Sequence, residues 1–120
     1  LENDGIKFLP IMSNDTKNYP EDSFQNMINF SKEHEFNFPY LIDETQKIAK
    51  NYGAVCTPDF FGYNNKLELQ YRGRIMELRN LKPIKNSGSD LFNAMKLVSK
   101  TGQGPKNQTP SMGCNIKWFK

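Results

Sequence analysis

A proline at the head of a strand is the feature that most limits how this chain can fold. Pro58 follows Cys56 and Thr57, after a helical pattern that ends at Gly53, and it precedes the strand-forming run 59–63. Proline has no backbone N–H, so it suits the first position of a strand, where no ladder donor is required. An X-Pro bond in such a tight connection is also a candidate for the cis form. Taken alone, the pattern favours an ordinary proline that opens a strand.

Apolar runs and turn residues predict the strands. Ile6–Met12 is mostly apolar and follows a glycine turn, which indicates a buried strand. Residues 36–42 indicate an extended segment, and 59–63 with 67–73 flank an Asn-rich turn, which predicts an antiparallel hairpin. The polar segment 76–88 contains Pro83 and Gly88 and shows no period, so we predict a surface loop there.

Capping residues and helical spacing predict three helices. Ser23 or Asp22 would cap the first, Asp43 the second with Gln46 at the capping-box position, and Ser89 the third. Gly53 and Gly102 would end the second and third. The faces expected to point inward are Phe24, Met27, Ile28 and Ser31 in the first helix, Ile48, Ala49 and Tyr52 in the second, and Leu91, Phe92, Ala94, Met95 and Val98 in the third. The order of elements predicts an α/β fold with a mixed sheet flanked by helices.

Composition excludes several classes of protein. The 16 basic and 13 acidic residues give a net charge of +3 and are mixed along the chain, so no basic block indicates nucleic-acid binding. No apolar run approaches the ~20 residues of a membrane-spanning helix. Two cysteines do not make a disulfide framework, so a soluble protein in the reducing cytoplasm is our expectation, with a removed upstream signal sequence left open.

Several segments, in order, resemble one known family. They are Ser13-Asn14-Asp15, Tyr19 to Ser23, Phe38 to Leu41, Tyr52 to Phe61, Tyr71 to Arg74 and Pro110 to Trp118. Together they resemble the peroxiredoxin-like branch of the thioredoxin superfamily, the redoxin or alkyl hydroperoxide reductase/thiol-specific antioxidant-like proteins. The resemblance covers almost the whole chain from Ile6 to Trp118.

The resemblance implies a thioredoxin-like fold whose redox site is a Cys-x-x-Cys at the start of a helix, where the thiolate is stabilised. This sequence contains no Cys-x-x-Cys, so we expect that the N-terminal strand-helix unit is missing from it. We accordingly predict a partial thioredoxin-like domain over 1–102 and a C-terminal tail over 103–120 that packs on it. The missing strand would leave two sheet edges unpaired, through which the chain could form a homo-oligomer.

Each candidate residue keeps an alternative interpretation. The resemblance implies that Thr57 and Pro58 form a cis-proline loop that binds an extended thiol substrate; the alternative is an ordinary strand-opening proline. Cys114 could be an accessory resolving thiol or pair with Cys56, and Cys56, the less favoured accessory thiol, could simply be a buried side chain. Arg72 and Arg74 would share one face and attract an anion, or lie in solvent at a strand end. For His34 we expect a helix-end position and no catalytic role.

Two functions follow from these predictions. The first is a thiol-disulfide oxidoreductase or peroxiredoxin-like antioxidant reductase, acting on a protein disulfide or a peroxide, with no catalytic residue in this chain and no activity in the fragment alone. It requires no metal and no organic cofactor. The alternative is a non-enzymatic thioredoxin-fold module that binds peptides or proteins by backbone pairing.

Overall fold

The computed structural model describes residues 5–35, 38–79, 82–83 and 88–119. The chain divides into two compact units, one of Leu1–Lys7 with Cys56–Cys114 and the other of Phe8–Val55 with Asn115–Lys120. Our division at residue 102 stays a prediction. None of the helices in the described ranges has the length and apolar character needed to cross a bilayer.

In its described residues, the unit of Phe8–Val55 and Asn115–Lys120 contains two short parallel strands, two α-helices and a short 3-10 helix, Pro20–Asp22. Strand β1, Ile11–Met12, pairs with β2, Leu41–Ile42, so that Ile11 lies opposite Leu41. Helix α1, Phe24–Glu33, begins where the Ser23 hydroxyl accepts the Asn26 N–H, as its sequence predicts. Helix α2, Lys47–Tyr52, ends at Gly53, whose φ of 72° suits a residue without a side chain.

The unit of Leu1–Lys7 and Cys56–Cys114 holds an antiparallel hairpin packed on a helix. Strands β4, Phe60–Tyr63, and β5, Leu69–Gly73, pair as predicted, and β3, Cys56–Thr57, precedes them. Helix α3, Asp90–Thr101, begins at Ser89, which accepts the Phe92 N–H, and ends at Gly102. The core consists of Tyr71, Ala94, Met95 and Val98, with Ile6, Phe60 and Leu91 packed against it.

Gly62 explains how closely the hairpin approaches α3. A Cβ at Gly62 would lie 2.3 Å from the Met95 sulfur, well inside van der Waals contact. The absence of a side chain at this point therefore lets Met95 pack directly on the backbone of β4, where it is buried. Glycine here serves close packing between two elements.

The strand predictions need three corrections. The strand expected over Ile6–Met12 is limited to β1, since only its last two residues pair with another strand. The loop expected over 76–88 contains two short paired strands, β6, Leu78–Arg79, and β7, Lys82–Pro83, with Leu78 opposite Pro83. Backbone pairing creates this hairpin without the periodic pattern by which strands are recognised in a sequence. Residues 36 and 37 of the predicted extended segment 36–42 lie outside the described part. The segment predicted as a tail contains one more strand, β8, Cys114–Asn115, which pairs with β3.

The helix faces are only partly as predicted. Met27, Ala49, Ala94, Met95 and Val98 are buried, in agreement with the helical spacing. Several of their expected partners are instead about half exposed: Phe24 at 57%, Ile48 at 40%, Tyr52 at 46% and Phe92 at 41%. Phe24 is the first residue of α1 and Tyr52 the last of α2. Ile48 lies directly beside the buried Ala49, and Phe92 lies in the first turn of α3.

Candidate functional site

The loop at Thr57 and Pro58 lies where the sequence places it. After Gly53 the chain passes through β3, makes a cis bond between Thr57 and Pro58, and enters β4 at Phe60. Thr57 is half-buried and Pro58 is exposed. The backbone of Thr57 therefore lies directly before the hairpin, which contributes residues to the core of its unit.

The neighbours of this loop come from the end of the same unit. The Thr57 hydroxyl donates to the Cys114 carbonyl over 3.5 Å. A Cβ at Gly113 would lie 2.2 Å from the Thr57 carbonyl oxygen and 3.5 Å from Cδ of Pro58. Gly113 thus packs against the loop backbone, in a position that no larger residue could take without movement. Sequence reasoning missed Gly113; a glycine directly before a candidate cysteine was the available signal.

The two cysteines are both free thiols in different surroundings. Cys114 is exposed, while Cys56 is half-buried with its Sγ 3.8 Å from the Ser111 carbonyl oxygen. Burial raises the pKa of the Cys56 thiol, the negative charge of Asp59 raises it further, and the Arg72 cation partly opposes both. Because the thiolate is the nucleophile in sulfur chemistry, a raised pKa makes Cys56 a poor attacking group at neutral pH.

The two arginines at the end of β5 pair with different carboxylates. An Arg72 Nη lies 3.5 Å from the Asp59 carboxylate, and its guanidinium lies 5.0 Å from the centre of the Phe61 ring. Arg74 donates from Nε to the Asp90 carboxylate, and this bond is the main cause of the raised pKa of Arg74. Arg72 is thus exposed and Arg74 half-buried, each with an acidic partner, and attraction of an anion by the two stays a prediction.

His34 lies at the end of α1, as predicted. Its backbone N–H donates to the Phe30 carbonyl, and its ring lies 4.2 Å from the Phe30 ring, centre to centre. Among the described residues, no group of three or more His, Cys, Asp or Glu is arranged to hold a metal ion.

Gln46 has a role that its capping-box position did not indicate. Its side chain is fully buried, and Nε2 donates to the carbonyls of Ser13 and Lys117 over 2.8 and 2.9 Å. Its Oε1 accepts the Phe119 N–H over 3.0 Å. Asp43 caps α2 as predicted, because its carboxylate accepts the N–H groups of Ile48 and Ala49. Gln46 therefore binds the backbone of Lys117 and Phe119, which belong to the same unit.

Comparison with known proteins supplies the family. The sequence model of the AhpC/TSA family matches residues 1–77. The chain belongs to the AhpC/TSA family. Members of this family carry out thiol-based redox chemistry, and the mixed α/β structure of the chain is thioredoxin-like.

Two solved structures resemble this family member closely. One is a hypothetical protein from Sinorhizobium meliloti 1021, with 38% identity and a TM-score of 0.88 over 98% of this chain and 64% of that one. The other is an uncharacterized conserved protein from Geobacillus kaustophilus, with 41% identity and a TM-score of 0.89 over 98% of this chain and 62% of that one. The chain thus spans less than two thirds of the length of either. No curated protein matches it.

Proposed function

We propose that this chain supplies the substrate-binding side of a thiol-dependent oxidoreductase that reduces a protein disulfide or a peroxide. The observation that carries the proposal is the Thr57–Pro58 loop at the head of β4 in a member of the AhpC/TSA family. A backbone edge next to such a loop can pair with an extended peptide, which gains main-chain hydrogen bonds as an added strand. Thr57 and Pro58 are the residues that would hold the substrate.

The chemical step in this proposal belongs to a cysteine outside the 120 residues. Its thiolate attacks one sulfur of the substrate disulfide, the S–S bond breaks, and a mixed disulfide forms while the other sulfur leaves as a thiolate and takes up a proton. A second thiol of the protein then attacks the protein sulfur of the mixed disulfide, which releases the substrate as a thiol and leaves a protein disulfide that an external dithiol must reduce for the next turnover. The raised pKa of Cys56 supports this division of roles, because a protonated thiol attacks slowly.

The backbone edge at Thr57 also fits a second candidate, a binding module without catalysis. In that case the edge at Thr57 holds an extended peptide of a partner protein, and no sulfur chemistry takes place. The homo-oligomer predicted to form through unpaired sheet edges belongs to this candidate as well, since a second copy of the chain could provide the added strand.

Turnover by the natural protein that contains this sequence separates the candidates. Intact mass first establishes its full length; the reduced protein is then assayed with insulin disulfides and with hydrogen peroxide. The double variant Cys56→Ser, Cys114→Ser is the control, and we expect it to keep at least about half of the wild-type rate because the attacking thiol lies elsewhere. Loss of turnover in this variant would contradict the proposed roles. No turnover by the wild type, with retained peptide binding, would support the binding module.

A further inference from the structure

A short segment of the chain already lies on the backbone edge at Thr57. We call Ser111–Cys114 the strap. At its first residue, the Ser111 hydroxyl donates to the Gly73 carbonyl over 2.7 Å, and the Ser111 carbonyl is in contact with Cys56 Sγ. At its last residue, the Cys114 carbonyl accepts the Thr57 hydroxyl. The strap therefore runs along β3 and reaches the loop proposed to bind substrate.

The closest approach is made by Gly113. A Cβ built on it would lie 2.2 Å from the carbonyl oxygen and 3.0 Å from the carbonyl carbon of Thr57. These are backbone atoms, so a side chain at this position cannot be accommodated by turning a flexible neighbour aside. The backbone of the strap thus excludes any other chain from the Thr57 carbonyl while it is in place.

Little apolar burial holds the strap down. Met112 is 91% exposed, and Gly113 and Cys114 are also exposed, while only Ser111 is half-buried. Burial of apolar surface is the main source of local stability, and each polar contact adds only about 0.5–1.5 kcal/mol. Segments with few buried apolar contacts open at the lowest free-energy cost. The contacts that hold the strap on the edge are polar and backbone contacts, and they include the pairing of β8, which begins at Cys114, with β3.

We propose that the strap is an autoinhibitory contact that occupies the β3 edge and must lift before an extended peptide can pair there. The inference rests on the proposed function only in naming the peptide as the competing occupant. A covalently attached occupant competes at a high effective concentration. The apparent affinity for a free peptide is therefore the intrinsic affinity multiplied by the fraction of molecules whose strap is lifted.

The first test measures how well the strap shields Cys56. In a Cys114→Ser background, which keeps the Cys114 carbonyl contact, Gly113→Ala should force the strap off the edge and Met112→Ala should leave it in place. We expect iodoacetamide to label Cys56 at least about tenfold faster in the Gly113→Ala protein, since labelling follows the open fraction. Equal rates in the two variants would refute the strap, whatever the protein's function.

The second test measures the competition itself. The probe is a fluorescent peptide that copies residues 109–116 with serine in place of the cysteine, and binding is followed by anisotropy. We expect Gly113→Ala to bind it at least about tenfold more tightly than Met112→Ala. Faster labelling without tighter peptide binding would overturn the autoinhibition and the peptide site of the proposed function together, and would leave the strap as a cover only.

A smaller change, Ser111→Ala, tests the proposal if the Gly113→Ala protein does not fold. Ser111→Ala removes only the hydroxyl that bonds the Gly73 carbonyl. We expect Cys56 to be labelled about three times faster than in Met112→Ala, because one hydrogen bond at the start of the strap is lost. No increase in this variant would count against the proposal in the same way.

Discussion

Gln46→Ala should cause a large loss of stability although it removes no apolar core residue. The fully buried amide makes three hydrogen bonds, to the carbonyls of Ser13 and Lys117 and from the Phe119 N–H, at 2.8, 2.9 and 3.0 Å. Each such bond contributes about 0.5–1.5 kcal/mol, and the groups left without a partner add a desolvation cost. We therefore expect the free energy of unfolding to fall by about 2–4 kcal/mol.

Urea unfolding followed by circular dichroism measures this loss. With an m-value of about 2 kcal/mol/M, the midpoint should fall by about 1–2 M. The matched control is Gln25→Ala on α1, because Gln25 is exposed and its side chain donates to the exposed Asn29 side chain over 3.2 Å. That variant should change stability by no more than about 0.5 kcal/mol. If the two variants unfold at the same urea concentration, the buried amide does not stabilise the tail and the reasoning fails.

Two further predictions concern the unit that contains α3. Met95→Ala should lower the free energy of unfolding in urea by about 2–5 kcal/mol, because it leaves a cavity next to Gly62. Met112→Ala, at an exposed position, should lower it by less than about 0.5 kcal/mol. Equal losses in the two variants would contradict the assignment of Met95 to the core. Burial first, then the charge of Asp90, raise the pKa of Tyr71, whose hydroxyl donates to the Arg74 carbonyl. The folded protein then holds this proton more tightly than the unfolded one, so its contribution is present below about pH 10 and is lost as the pH rises through the folded pKa. Tyr71→Phe should lose about 1 kcal/mol at pH 7 and show a shallower decline above pH 10, and an unchanged alkaline slope would refute this account.

The sequence predicted those features that depend on neighbouring residues. Ser23 and Ser89 cap helices because a hydroxyl bonds an N–H only three residues away, and Gly53 and Gly102 end helices through their own backbone angles. The β4–β5 hairpin follows from its short turn. The helix faces were less predictable, because α1 and α2 bury a narrower stripe than their apolar spacing suggests.

The candidate site was predictable in one part and not in the other. The Thr57–Pro58 loop is a local pattern, and the family resemblance is carried by residues that can be read in order along the chain. The strap was not predictable, because a contact between Gly113 and Thr57 joins positions far apart in sequence. Exposed residues such as Met112 also leave no hydrophobic pattern to indicate where their backbone lies.

By itself, therefore, the sequence determined the α/β order of elements, the helix ends, the loop at Pro58 and membership in a thiol redox family. Only the tertiary structure decided that Gln46 turns from α2 to bind Ser13 and Lys117, and that the strap covers the edge at Thr57. The physical reason is the distance along the chain between the residues that interact. Caps and turns are selected by interactions within a few residues, whereas these hydrogen bonds form only after distant segments have been brought together by burial of the core.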